Sequence, residues 1–244
     1  MTLGTLSYQG VSHANPGLKY TGDVATGYDA KRQGSEKWKV EQRIIEGMLS
    51  DLPYGSWVLD APCGSGRWLD LCRQKGFIYR GIDVSDDMIQ QAKAKLGDDQ
   101  PIAELTQDDG KIIRFPQFHF DRANVLSCGA PDKSVDAALN IRITRWLSPQ
   151  ECQQMFKEMQ RISRDRIIFT ARVANHPHAR SLELFEAAMA DDWMLECSEA
   201  GSEKEYRIFM FRCKSSPLLT RKGEIIEAEK ADDNAWTMKP YEAA

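Results

Sequence analysis

Four short apolar runs alternate with segments of helical period along the middle of the chain: WVLDA with GRWLDLCRQKG, FIYRGID with SDDMIQQAKAKL, VDAALNI with SPQECQQMFKEMQRI, and RIIFTARV with HARSLELFEAAM. Such alternation predicts buried parallel strands joined by crossover helices. Ahead of it, SEKWKVEQRIIEGMLSDL sets Trp38, Val40, Ile44, Ile45, Met48 and Leu49 along a helical stripe, with Ser35 as N-cap and Pro53 beyond its end. Behind it, WMLECSE and EYRIFMFRC flank AGSEK as an antiparallel hairpin. The fold class is therefore α/β, a doubly wound and mostly parallel sheet ending in an antiparallel hairpin.

Three stretches fall outside the alternation. Residues 1–35, rich in Gly, Ser, Thr and Asn without sustained period, read as an irregular arm. Residues 97–117 are long for a connection and carry Gly, Pro and acidic clusters, which predicts an insertion at the surface. Residues 215–244 are polar and charged, a tail ordered only where it docks. One domain, 36–214, remains between them.

Composition narrows the partners. A chain of 244 residues, 42% hydrophobic, buries one large core. Its 32 basic and 36 acidic residues leave a net charge of -4, so no overall field draws it onto nucleic acid. No apolar stretch approaches the roughly 20 residues that span a bilayer, and the N-terminus lacks a basic segment followed by an apolar one. The cysteines Cys63, Cys72, Cys128, Cys152, Cys197 and Cys213 form no C-x-x-C pair and read as reduced thiols of a cytoplasmic protein. No metal-ligating set emerges, and the oligomeric state stays open.

The segment VLDAPCGSGRWLDL reads as strand, turn and helix. In an open parallel sheet, ligands sit outside the carboxyl ends of the strands, where strand order reverses. Gly64 and Gly66 let the backbone turn tightly and approach a ligand, the helix from about Arg67 offers unpaired amides, and Asp60 ends the strand with a carboxylate in the same crevice. A dinucleotide site favours G-x-G-x-x-G, but the third position here is Leu69. An acid at the strand end repels a pyrophosphate and suits an ammonium or sulfonium group. In GIDVSDDMI, Asp83 ends the next strand, where a carboxylate accepts both hydroxyls of a ribose, and Val84 and Met88 offer apolar contact to a base. With Asp86 as the cap of the following helix, Asp83 is left to the ligand.

In this order and spacing the chain resembles the class I S-adenosylmethionine-dependent methyltransferases, over roughly residues 36–212. The resemblance implies a Rossmann-like, seven-stranded sheet, S-adenosylmethionine as cofactor, and methyl transfer as the reaction. It implies that Asp60, Gly64 and Gly66 hold the methionine portion and Asp83 the ribose. The family's third-strand motif, D-A-x-x-L-P, is RANVLS here, so Arg122 stands at the acid's place and Asp121 one residue earlier. Asp121 or the backbone at Ala123 then serves the adenine. Asn140, after the fourth strand, matches the position bordering the transferred methyl group. TGYDAKRQGSEKW is similar to a Y-x-x-x-R segment that covers the cofactor, which makes Tyr28 and Arg32 covering residues; otherwise it is an exposed basic helix start.

The acceptor side departs from the resemblance. Related chains often read R-x-L-H-H-L after the fourth strand, and this one reads RITRWL: Arg142 is kept, while Arg145 and Trp146 replace the two histidines. A guanidinium is a poor base at neutral pH but binds carboxylate or phosphate well. The expectation moves from proton removal to recognition of an anionic acceptor by Arg142 and Arg145, with Trp146 as a wall. The alternative is surface ion pairs and a core tryptophan. His176, with His178, follows the fifth strand and is the remaining base candidate. The expected acceptor is a small molecule or glycan-type metabolite; the alternatives are RNA, protein, or cofactor binding without turnover.

Overall fold

The computed structural model describes residues 21–22, 34–98, 101–106, 111–173, 179–201, 205–216 and 218. Tyr28, Arg32, His176 and His178 lie outside the described residues. Helix α1 (Glu36–Met48) opens the domain, capped by Ser35, whose Oγ accepts from the Trp38 amide. Then come β1 (Trp57–Asp60), α2 (Leu69–Lys75), β2 (Ile78–Asp83), α3 (Asp86–Leu96), β3 (Ile102–Thr106), β4 (Ile112–Pro116), β5 (Phe118–Arg122) and β6 (Val135–Asn140). A 3-10 turn (Thr144–Trp146), α4 (Pro149–Ile162), β7 (Ser163–Arg172), α5 (Leu182–Ala188), β8 (Trp193–Ala200) and β9 (Tyr206–Cys213) complete the order.

Seven strands form one sheet in the order β5-β2-β1-β6-β7-β9-β8. All pairs are parallel except those of β9, which runs antiparallel to both β7 and β8. The chain winds outward from β1 to β5, then returns to β6 and winds the other way. That reversal opens a crevice at the carboxyl ends of β1 and β6.

Period-two alternation feeds two cores. Leu59, Ala138, Ile167, Phe169, Phe209 and Phe211 face α4 and α5 on one side; Val58, Leu139, Ile168, Ile208 and Met210 face α1, α2 and α3 on the other. The aromatics of RIFMFRC are thus core, with Phe169 stacked on Phe209 and edge-on to Phe156 and Phe185.

Several boundaries differ from the sequence reading. Helix α2 begins at Leu69 rather than Arg67, because the glycine turn continues through Trp68. Ser85, not Asp86, caps α3, its Oγ accepting from the Met88 amide at 3.3 Å; Asp86 pairs instead with Arg122 at 3.1 Å. The 97–117 segment contains the β3–β4 ribbon, a separate antiparallel pair whose Phe115 stacks on Trp57 at 5.4 Å. Ile102 and Ile112 of this ribbon are exposed.

The polar end of the domain also differs. Ser216, placed by its sequence in the tail, is buried and its Oγ donates to Asp165 Oδ1. Asp165 belongs to an ionic network beneath β7 and β9 with Arg166, Arg212 and Asp51. Leu218 packs against the α1-side core. The folded unit therefore reaches past residue 214, because a buried carboxylate needs the hydroxyl. All six cysteines are free thiols, and no helix among the described residues is long and apolar enough to cross a membrane.

Candidate functional site

A cleft lies at the crevice predicted by topology. It is lined by the turn after β1 (Pro62, Cys63, Gly64, Ser65, Arg67, Trp68), by Asp83, Val84 and Met88 after β2, by Ile141–Ile143, Arg145 and Trp146 after β6, and by Trp38 of α1. A second, more polar cavity adjoins it, lined by Lys37, Glu41, Arg142, Thr144, Arg145, Thr170, Arg172 and Tyr206 among others. Arg142 and Arg145 line both.

The turn is built by two glycines with different tasks. Gly64 has φ +53°, and a Cβ there would meet nothing within 4 Å, so its backbone faces the open cleft. Gly66 has φ +74°, and its added Cβ would press on Ala92 of α3 at 3.2 Å. Gly66 therefore seats the turn against α3 rather than approaching a ligand, which corrects the common role expected of the pair.

Asp83 is 8% exposed and holds the turn in place: Oδ2 accepts from the Gly64 amide at 3.0 Å and Oδ1 from the Ser85 amide at 2.9 Å. It is not left wholly to a ligand, as expected, although both oxygens keep further lone pairs. Burial raises its proton affinity, and the amides of Ser85, Gly64 and Val84 counter that. Asp60 is fully buried and is not among the lining residues. Its Oδ2 accepts from Tyr79 at 2.6 Å, and burial pushes its carboxyl up to about 8, with the Tyr79 hydrogen bond opposing and Asp83 adding to the shift. Its Oδ1 has no hydrogen-bond partner.

Asn140 is likewise buried behind the cleft, Nδ2 donating to the Ala61 carbonyl at 2.8 Å while Oδ1 lacks a partner. It ties β6 to the turn and does not line the cleft, contrary to its expected place beside a methyl group. Asp121 accepts from Arg80 Nε at 3.0 Å and pairs with His119 at 2.8 Å. Burial raises its proton affinity, but His119 and Arg80 together hold the carboxyl below the ordinary aspartate range. The Ala123 amide donates to the Asp83 carbonyl at 3.0 Å. Neither Asp121 nor Ala123 lines the cleft, since both are spent on bridging β5 to β2.

Residues the sequence reading missed dominate the cleft floor. The Arg67 guanidinium lies 3.7 Å from the Trp38 ring centroid and 4.4 Å from that of Trp68, and its Nη2 donates to the Trp38 carbonyl at 3.0 Å. Its charge is met by Glu41, a buried carboxylate on the apolar stripe of α1. The signal was available: Glu41 precedes Ile45 by four and Met48 by seven, so an acid interrupts the core-facing stripe. Gly81 on β2 was also missed; a Cβ there would fall 2.8 Å from Phe120 and 3.0 Å from Cys63 Cβ, so its absence lets the turn pack down.

Around β6, Arg142 sits at φ +65°, its amide donating to Thr170 Oγ1 at 2.7 Å. The exposed Arg145 places its guanidinium 4.7 Å from the Trp146 ring. Trp146 packs against the α4-side core and lines the cleft, but it is not among the residues lining the second cavity.

A nucleoside with a charged amino-acid tail fits these features. Open space over Gly64, the remaining lone pairs of Asp83 and apolar Val84 and Met88 supply complementary groups, while the unpartnered oxygens of Asp60 and Asn140 lie buried behind the cleft. Residues 59–169 match the family described as Methyltransferase domain. YqeM of Bacillus subtilis (strain 168), provisionally named a methyltransferase, is 32% identical over 85 residues, 30% of this chain and 34% of that one. The 2-methyl-6-phytyl-1,4-hydroquinone methyltransferase of Synechocystis sp. is 32% identical over 102 residues, 41% of this chain and 32% of that one. The chain thus spans about a third of the length of these curated relatives. The structure of magnesium protoporphyrin IX methyltransferase from Synechocystis PCC 6803 with bound S-adenosylmethionine superposes with TM-score 0.61 at 16% identity, covering 84% of this chain and 99% of that one, a likeness of fold.

Proposed function

Residues 59–169 carry a methyltransferase domain, and on that premise we propose that the chain is a class I enzyme that transfers the methyl group of S-adenosylmethionine to a small-molecule acceptor bearing an anionic group. One observation carries the acceptor reading: Arg142 and Arg145 line both the cofactor cleft and the neighbouring cavity, where Lys37 and Arg172 join them. A ligand entering that cavity meets cationic side chains from α1, β7 and the segment after β6. The hydroquinone methyltransferase likeness supports a small acceptor.

S-adenosylmethionine, when bound, supplies an activated methyl group on a sulfonium. Asp83 takes the ribose hydroxyls, Val84 and Met88 the base, and the Gly64–Ser65 backbone the approach of the methionine portion. Arg67 and Arg142 offer guanidiniums to its carboxylate. Transfer is an in-line displacement, so holding the acceptor atom about 3 to 3.5 Å from the methyl carbon does most of the work. Arg145 and Lys37 orient the acceptor by its charge, and Trp146 walls the adjoining cofactor cleft from water.

The test has two stages. Calorimetric titration should show binding of S-adenosylhomocysteine and not of NAD. A panel of hydroxylated carboxylic acids, each beside its neutral amide, is then incubated with labelled S-adenosylmethionine. Methylation should favour the acids; equal transfer to both members would remove the anionic requirement, and absence of cofactor binding would remove the whole reading.

A further inference from the structure

Glu41 stands on the buried face of α1 and is 1% exposed. A carboxylate there is tolerated only with partners. It has three, from three other parts of the chain. Arg67, in the turn after β1, pairs with Oε2. Arg142, after β6, reaches Oε2 with Nη2 at 3.0 Å and Nε at 3.2 Å. Tyr206 Oη, at the start of β9, donates to Oε1 at 2.7 Å. Arg67 lines the cofactor cleft, Tyr206 the second cavity, and Arg142 both.

The two guanidiniums oppose each other. Burial pushes the Arg67 guanidinium down, Glu41 opposes that, and the charge of Arg142 adds to the downward push. Without an anion between them, two partly buried cations repel and at least one swings away. Arg67 would then leave its seat between Trp38 and Trp68. Arg142 is constrained further, because its left-handed backbone is an unfavourable state for a side-chain-bearing residue and persists only where surrounding contacts over-determine it.

We propose that Glu41 is a positioning residue for methyl transfer: by clamping Arg67 and Arg142 it fixes the cationic wall shared by the cofactor cleft and the acceptor cavity. The proposal rests on the reading of the cleft as the S-adenosylmethionine site. It makes α1 part of the active site without contact to a reacting atom.

A double-mutant cycle on the full chain tests it, with S-adenosylhomocysteine affinity by calorimetry and near-ultraviolet circular dichroism as readouts. Glu41→Gln keeps the size of the side chain and removes its charge; affinity should fall about tenfold or more, and the tryptophan bands should weaken as the Trp38–Arg67–Trp68 stack loosens. Adding Arg142→Gln removes one of the two repelling cations, so the double variant should bind more tightly than the product of the single effects. The double variant also covers the case in which Glu41→Gln alone fails to fold, since its charge is balanced; its affinity should then match that of Arg142→Gln within about threefold. Additive effects, or unchanged affinity in Glu41→Gln with only a lowered melting temperature, would overturn the proposal. Failure of the unaltered chain to bind S-adenosylhomocysteine would overturn the cofactor reading instead.

Discussion

Tyr79 donates its phenolic hydrogen to Asp60 Oδ2 at 2.6 Å, with both side chains buried between β1 and β2. One hydrogen bond does not offset the burial of the acid, whose carboxyl is pushed up to about 8. The acid therefore stays protonated in the folded chain at pH values where the unfolded chain has lost the proton. Its folded value lies above its unfolded value, so its contribution is fully present below about pH 4 and is lost as pH rises toward 8. Asp60→Asn, a neutral isostere, should remove this loss. Urea denaturation of both proteins from pH 5 to 8 should show the difference in stability growing in favour of the variant as pH rises; parallel profiles would mean that Asp60 is ionised in the fold.

The two turn glycines should separate in their effects. Gly66→Ala combines a left-handed backbone with pressure on Ala92 and should cost about 2 kcal/mol or more of stability. Gly64→Ala meets open space and should cost only about 1 kcal/mol from the backbone while reducing S-adenosylhomocysteine affinity. Thermal melting and titration of both variants check the pair, and equal stability losses would contradict the split.

Asp83→Ala should damage folding as well as binding, because the Gly64 and Ser85 amides lose their acceptor. A loss of about 1 to 3 kcal/mol is expected for the buried Ser85 amide left unpaired, and a smaller one for the Gly64 amide, which is only partly buried at the cleft. Asp83→Asn, which keeps one acceptor oxygen, should recover part of the stability. A melting temperature unchanged in Asp83→Ala would show that the residue serves the ligand alone.

Ser216→Ala removes a buried hydroxyl from Asp165 and should cost about 1.5 to 3 kcal/mol, as for hydrogen bonds to charged groups. Chemical denaturation measures it. A neutral outcome would place Ser216 energetically with the tail, where its sequence suggested.

Arg145→Ala should leave S-adenosylhomocysteine affinity within about twofold, since the side chain is exposed and stacks on Trp146 rather than on the turn. With an acceptor from the panel in hand, the Michaelis constant for that acceptor should rise and the turnover number change little. A fall in turnover alone would assign Arg145 to the transfer step.

Periodicity was enough to determine six of the sheet's seven strands, the crossover helices and the terminal hairpin, and with them the position of the cleft, because each rests on local spacing of apolar residues and on topology rules that act on element order; β5 was legible only through the family resemblance, and the β3–β4 ribbon only as an insertion. The glycine turn and Asp83 were legible for the same reason: their chemistry is carried within a few residues of one strand end. Asp60, Asn140 and Asp121 were legible as polar residues at strand ends, but not in their contacts. Tyr79 and Arg80 reach them from a neighbouring strand and Ala61 from the turn after β1, and strand order is set by packing of the whole sheet. Glu41 shows the limit most directly. Its place on an apolar stripe was visible in sequence, whereas its partners Arg67, Arg142 and Tyr206 stand 26, 101 and 165 residues away. Only the tertiary structure decides which charges share one buried volume, because desolvation makes a lone carboxylate untenable and selects the arrangement in which distant guanidiniums meet it.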